Sequence, residues 1–127
     1  AAIIERGGNV LIAKRPANGL LGGMWEFPGG KVESGEDLVS CLRREIREEL
    51  DASIHAERHF GEFQHAYTHF KVTLHAFCCQ LSPDSGEPRP VEADGLVWVR
   101  PDGLVNYPMG KIDRQIARRL AQANESQ

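Results

Sequence analysis

Residues 29–50 read GGKVESGEDLVSCLRREIREEL. Three glutamates, Glu45, Glu48 and Glu49, stand at i, i+3 and i+4, the spacing at which helical side chains share one side. Like charges so placed destabilise an isolated helix by roughly a few tenths of a kcal/mol per pair. The same placement can aim three carboxylates at one point. Oxygen-only donors suit hard divalent cations such as Mg²⁺ or Mn²⁺. Gly29 and Gly30 beside them let backbone come close and offer a carbonyl. Mg²⁺ keeps waters and is commonly completed by substrate phosphates, so the bare chemistry is metal-assisted attack on a phosphate ester or anhydride. The competing reading is a solvated charged face on which Arg43, Arg44 and Arg47 pair with the glutamates.

The elements that must position these groups are legible from periodicity. From Asp37 to Leu50 the apolar residues Leu38, Leu42, Ile46 and Leu50 recur every four, with Val39 widening the stripe, which predicts an amphipathic helix. At about 100° per residue the three glutamates border that stripe and do not oppose it. Ser34 and Asp37 are candidate caps for its start. AAIIE and NVLIAKR flank Arg6-Gly7-Gly8 as a β-hairpin. PANGLLGGM is a loop, and WEF a short strand entering a tight turn. HFKVTLHAFCCQL alternates like a strand, SPDSGEPRP is a loop, and GLVWV is a short buried strand. Residues 112–123 form a second amphipathic helix with Ile112, Ile116 and Leu120 inward and Arg114 among the polar positions. The predicted class is α/β, helices covering a mixed sheet.

Gly30, five residues, Glu36, seven residues, then Arg44-Glu45-Ile46-Arg47-Glu48-Glu49 resembles the Nudix box. Six of the box's seven fixed residues are present; Asp51 stands where the last, a glycine, belongs. Asp tolerates the left-handed conformation better than most residues, so the helix is expected to end there regardless. The resemblance covers most of the chain. It implies a single domain, 1–127, with the Nudix fold, an α/β/α sandwich with a mixed β-sheet. It further implies Glu45, Glu48, Glu49 and the Gly29 carbonyl as metal ligands for Mg²⁺ or Mn²⁺, and Gly30, Glu36 and Arg44 as structural, the last two as an ion pair. For the general base it leaves Glu48 or a later-loop acid, Glu92 or Asp94.

LIAKRPANGLLGGMWEFPGGKVE is similar to two Nudix groups: MutT-like hydrolases of oxidised purine triphosphates, and the C-terminal domain of MutY-type adenine glycosylases. The first implies Lys14 and Arg15 as phosphate contacts and, through NYPMGKIDRQI, Asp113 as reader of the base edge. The second implies Tyr67, Thr68 and His69 of HAYTHF as contacts to an oxidised guanine in DNA. Trp25 reads as core; His55, His59 and His75 lack ligand spacing and read as structural or surface residues. The retained carboxylates favour an enzyme, a metal-dependent pyrophosphohydrolase of nucleoside triphosphates such as 8-oxo-dGTP releasing monophosphate and pyrophosphate, over a DNA-reading module.

At 127 residues the chain is one domain able to bury a core. A net charge of −3 gives no global basic field for nucleic acid. Cys41, Cys78 and Cys79 lack framework spacing, which points to a reduced, cytoplasmic setting. No run is long enough to span a membrane. The chain opens on Ala-Ala without Met, so a preceding segment could bear on function.

Overall fold

The computed structural model describes residues 1–30 and 37–125. The expectations placed on Ser34 and Glu36 lie outside these residues. Strands β1 (Ala2–Arg6) and β2 (Asn9–Lys14) form the expected hairpin. Its turn places Gly7 and Gly8 at φ of 58° and 83°, the doubly left-handed conformation that matches strand twist and that glycine adopts without a Cβ clash. The short β3 (Trp25–Glu26) joins the end of β2, and β6 (Gly95–Val99) runs antiparallel along β2. On its other side β1 pairs parallel with β5 (Lys71–Leu81), which pairs antiparallel with β4 (Ile54–Ala66). The sheet is therefore mixed.

Two helices cover opposite faces. In α1 (Leu38–Leu50) the Asp37 carboxylate caps the start, accepting the Ser40 N–H at 2.7 Å. Leu42, Ile46 and Leu50 bury against Ala2, Ile4, Leu11, Ile54 and Cys79. The alternate residues, Ile3, Val10 and Ile12, face the other way with Phe63 and Ala76 and receive Ile116, Ala117 and Leu120 of α2 (Lys111–Glu125). This is the expected sandwich: strand alternation gives each helix its own apolar floor. The α1 stripe falls short at its start, where Leu38 stays exposed.

The departure from the box at Asp51 is accommodated as expected. Asp51 adopts φ 51°, ψ 42°, its N–H bonds the Arg47 carbonyl at 3.1 Å, and its carboxylate pairs with Arg89 at 2.8 Å. Arg114 departs from its reading as a polar-face residue. Its guanidinium turns inward to the carbonyls of Leu104 and Tyr107, tying α2 to a 3₁₀ turn at Pro101–Asn106. Trp25 packs partly buried against the α2-side core, edge-on to Tyr107 at 5.4 Å. His59 and His75 are brought together across β4 and β5, ring nitrogens 3.0 Å apart. Among the described residues no helix is long and apolar enough to cross a membrane.

Candidate active site

The three glutamates of α1 lie at different depths. The Glu45 side chain is 15% exposed and that of Glu48 is 55% exposed; Glu49 is partly buried. Both glycines of the turn lie close to side chains of the helix. A Cβ on Gly30 would sit 2.9 Å from Glu45 Oε2, and one on Gly29, itself at φ 119°, would sit 2.8 Å from Leu42 Cδ1. The Gly29 N–H donates to Glu49 Oε2 at 3.1 Å, so the contact seen at Gly29 is through its amide.

Glu49 is pushed up to about 7, chiefly by burial. The negative charges of Glu45, Glu26 and Glu92 push the same way, and the Gly29 amide opposes them. Arg44 was expected to brace Glu36. That pair lies outside the described residues; among them Arg44 lies 3.0 Å from Glu45 and 3.1 Å from Glu48. Among the described residues no three His, Cys, Asp or Glu side chains are grouped closely enough to enclose an ion.

A cavity of about 220 Å³ opens beside Glu49, lined also by Lys14, Arg15, Glu26 and Glu92. Lys14 and Glu92, proposed from sequence for phosphate contact and proton transfer, thus face the same space. Asp94, the other acid weighed for that role, accepts the Ala17 N–H at 3.1 Å and fastens the 16–24 loop to the segment before β6. Arg15, named with Lys14 for phosphate contact, borders the same cavity, and its guanidinium meets Glu26 at 2.7 Å and the Leu20 carbonyl at 2.7 Å.

Glu26 escaped the sequence reading, which saw in WEF only a strand. Its signal was the basic pair Lys14-Arg15 facing an acid across a two-residue ladder, visible only once Lys14 and Trp25 are known to pair. Glu26 lines a second cavity too, of about 200 Å³, with Leu21, Phe27, Tyr67, Leu74, Ile112 and Asp113 among its walls. Asp113 Oδ1 accepts the Phe27 N–H at 3.0 Å. Burial is the first cause that pushes Asp113 up to about 6, with Glu26 adding to it and the Phe27 amide, the Ala1 ammonium and Arg15 opposing. Lys111 and the Ala1 terminus also border it, and the remaining side chains are apolar or aromatic.

Tyr67, Thr68 and His69 form the exposed tip of the β4–β5 hairpin. The Tyr67 N–H closes the turn on the Phe70 carbonyl at 2.7 Å, and the two rings stack at 4.8 Å. Of the three, only Tyr67 reaches the cavity that holds Asp113.

The chain that builds these two cavities matches a family model, NUDIX domain, over residues 1–119. The chain belongs to the NUDIX domain family. This Nudix hydrolase is MutT-like. It is 39% identical over 113 residues to the CTP pyrophosphohydrolase of Escherichia coli, covering 89% of this chain and 82% of that one. It is 36% identical over 75 residues to the 8-oxo-dGTP diphosphatase of Proteus vulgaris, 59% and 67% of the two chains. The human adenine DNA glycosylase matches at 35% over 118 residues, 85% of this chain but 20% of that protein. Among solved structures, the E. coli ORF135 protein superposes with a TM-score of 0.85 at 34% identity, covering all of this chain and 89% of that one.

Proposed function

We propose that this Nudix hydrolase cleaves (deoxy)nucleoside triphosphates to the monophosphate and pyrophosphate, with CTP and 8-oxo-dGTP as the leading candidates. The observation that carries this reading is the pair of cavities sharing Glu26 as a wall. One is acidic and holds Lys14; the other has apolar and aromatic walls from Leu21, Phe27, Tyr67, Leu74 and Ile112, with Asp113, Lys111 and Glu26 as its polar groups. A nucleotide has the same division: a polyphosphate that arrives with a cation, and a flat heterocycle with a polar edge.

The donor set fits Mg²⁺ or Mn²⁺. Glu45, Glu48, Glu49 and the Gly29 carbonyl are all hard oxygen donors, and a glutamate raised to about 7 by burial and by neighbouring carboxylates is relieved by a cation. A divalent ion held there would offset charge on the phosphates and acidify a water. Lys14 then neutralises phosphate oxygens from the opposite wall. Glu92, on the phosphate cavity, is better placed than Glu48, which is drawn to Arg44, to take the proton of the attacking water. Asp113 accepts N–H donors of the base through the oxygen that Phe27 does not use.

The test is product analysis by ³¹P NMR with CTP, dGTP and 8-oxo-dGTP in Mg²⁺. Pyrophosphate release, lost in Glu49→Gln and reduced more by Glu92→Gln than by Glu48→Gln, is expected. Orthophosphate release, or turnover indifferent to Glu49→Gln, refutes the reading. A second reading, recognition of oxidised guanine in DNA, is favoured by the exposed Tyr67-Thr68-His69 tip together with the glycosylase match. It predicts tighter binding to a duplex containing 8-oxoguanine than to an unmodified one, lost in Tyr67→Ala.

A further inference from the structure

The 16–24 loop carries a residue that the fold does not explain. Leu21 sits at φ 54°, in the left-handed region, though it is not glycine. A branched side chain there costs roughly 1–2 kcal/mol, and such outliers persist where the surroundings over-determine them. Those surroundings are present. Arg15 holds the loop through its guanidinium Nε on the Leu20 carbonyl at 2.7 Å. Its backbone pairs with both Gly23 and Met24, and the Met24 N–H returns to the Leu21 carbonyl at 3.1 Å. The strain is not offset by burial, since Leu21 is 52% exposed. What the conformation does is place the side chain on the rim of the 200 Å³ cavity, within contact range of Gly110 and in the same lining as Tyr67, itself 46% exposed.

We propose that Leu21 is a specificity-determining residue: it closes one side of the base cavity and packs on the heterocycle's face, with Tyr67 contributing from the hairpin tip and Asp113 reading the edge. The proposal rests on the nucleotide reading of that cavity. A flat aromatic ligand has apolar faces and a polar rim. Four separate segments supply the matching walls: the loop (Leu21), the hairpin (Tyr67), β5 (Leu74) and the start of α2 (Ile112, Asp113). Half-exposed apolar side chains at the mouth of a cavity gain burial only when it is filled. Arg15 makes the arrangement responsive, because the group that pins the loop also borders the phosphate cavity.

The experiment measures kcat and KM for CTP and 8-oxo-dGTP in the wild type, Leu21→Ala, Leu21→Gly and Asp113→Ala, with inorganic tripolyphosphate as a competitor that lacks a base. Leu21→Ala is expected to raise KM about 10-fold, unequally for the two bases, with kcat within about twofold and tripolyphosphate inhibition unchanged. Leu21→Gly should raise KM at least as much and yet raise Tm, because glycine relieves the backbone. KM unchanged in both Leu21 variants while Asp113→Ala raises it overturns the proposal and leaves the base cavity standing. A parallel loss of tripolyphosphate inhibition overturns it too, by making Leu21 a loop support. If Asp113→Ala also leaves every KM unchanged, the cavity does not hold the base, and the nucleotide reading falls with the proposal.

Discussion

Glu49 and Asp113 are two carboxylic acids raised in the same direction for the same first reason, burial, and they are set up for different occupants. Around Glu49 the neighbours are Glu45, Glu26 and Glu92. Their repulsion leaves a deficit of positive charge that a proton removes only in part, and that a divalent cation removes more fully. Around Asp113 the neighbours are largely apolar side chains, with one acid, Glu26, opposed by the Ala1 ammonium and Arg15. There a hydrogen-bond donor suffices. Burial sets the sign of a pKa shift; the company kept by the group decides what relieves it.

The widest separation between the two acids should come from removing the first. Glu49→Gln is expected to lower kcat/KM by about 100- to 1,000-fold, the scale of losing one preorganised electrostatic group. Millimolar Mg²⁺ is expected to raise the Tm of the wild type, and this variant should lose that rise. The metal-free variant should be at least as stable as the metal-free wild type at pH 7.5. A retained Mg²⁺ shift would place the cation elsewhere.

Asp113 sharpens the contrast through pH. Its folded-state value, about 6, lies above the ordinary 3.8. The folded protein therefore binds the proton more tightly than the unfolded chain does. Stability from this group is full below about pH 3.8, declines as pH rises to about 6, and is level above that. Asp113→Asn removes the burden of a buried charge while its side-chain oxygen can still accept from Phe27. It should stabilise the protein at pH 7.5 by about 1–3 kcal/mol, with the gain shrinking toward zero near pH 4. Thermal melts across that range decide it; a pH-independent difference would mean that Asp113 does not carry the burden. Glu49→Gln should show no such gain once Mg²⁺ is present.

The smallest expected effect lies away from both acids, at the helix end between them and the core. Asp51→Gly should change stability by less than about 1 kcal/mol, and Asp51→Ala should cost about 1 kcal/mol, because only the left-handed preference is at stake there. The Arg89 partner is exposed and adds little. Activity should be unchanged in both. A large loss of activity in Asp51→Gly would show that the end of α1 is coupled to the glutamates one turn earlier.

How far the sequence reached is best seen at α1 and β4. The helix was legible because a four-residue apolar recurrence, a capping Asp37 and a tolerant Asp51 all agree on one answer. β4, thirteen residues long, was not read as a strand at all. Register breaks between Ala56 and Arg58 and between His59 and Gly61 shift its alternation twice, so no period of two survives across the segment. For the site, box spacing marked the acidic residues of α1 but not their depths, since whether Glu48 is open and Glu45 covered depends on where Arg44 and the Gly30 backbone settle. Lys14, Glu92 and Glu49 were found separately and meet in one cavity. Arg15 borders that cavity too, and what the sequence did not show is its partner Glu26, whose place depends on a strand pairing that no local pattern announces.

Because Glu26 forms a wall of both cavities, they are not independent compartments. Its charge acts on Glu49 from one side and on Asp113 from the other. A cation that gathers field lines on the first side alters the proton and donor affinity of the second. Reciprocity then requires the base to change the cation's affinity by the same factor. A pyrophosphatase with such a partition would hold its cation more or less tightly according to which base is seated, so measured metal affinities belong to a particular nucleotide rather than to the protein alone.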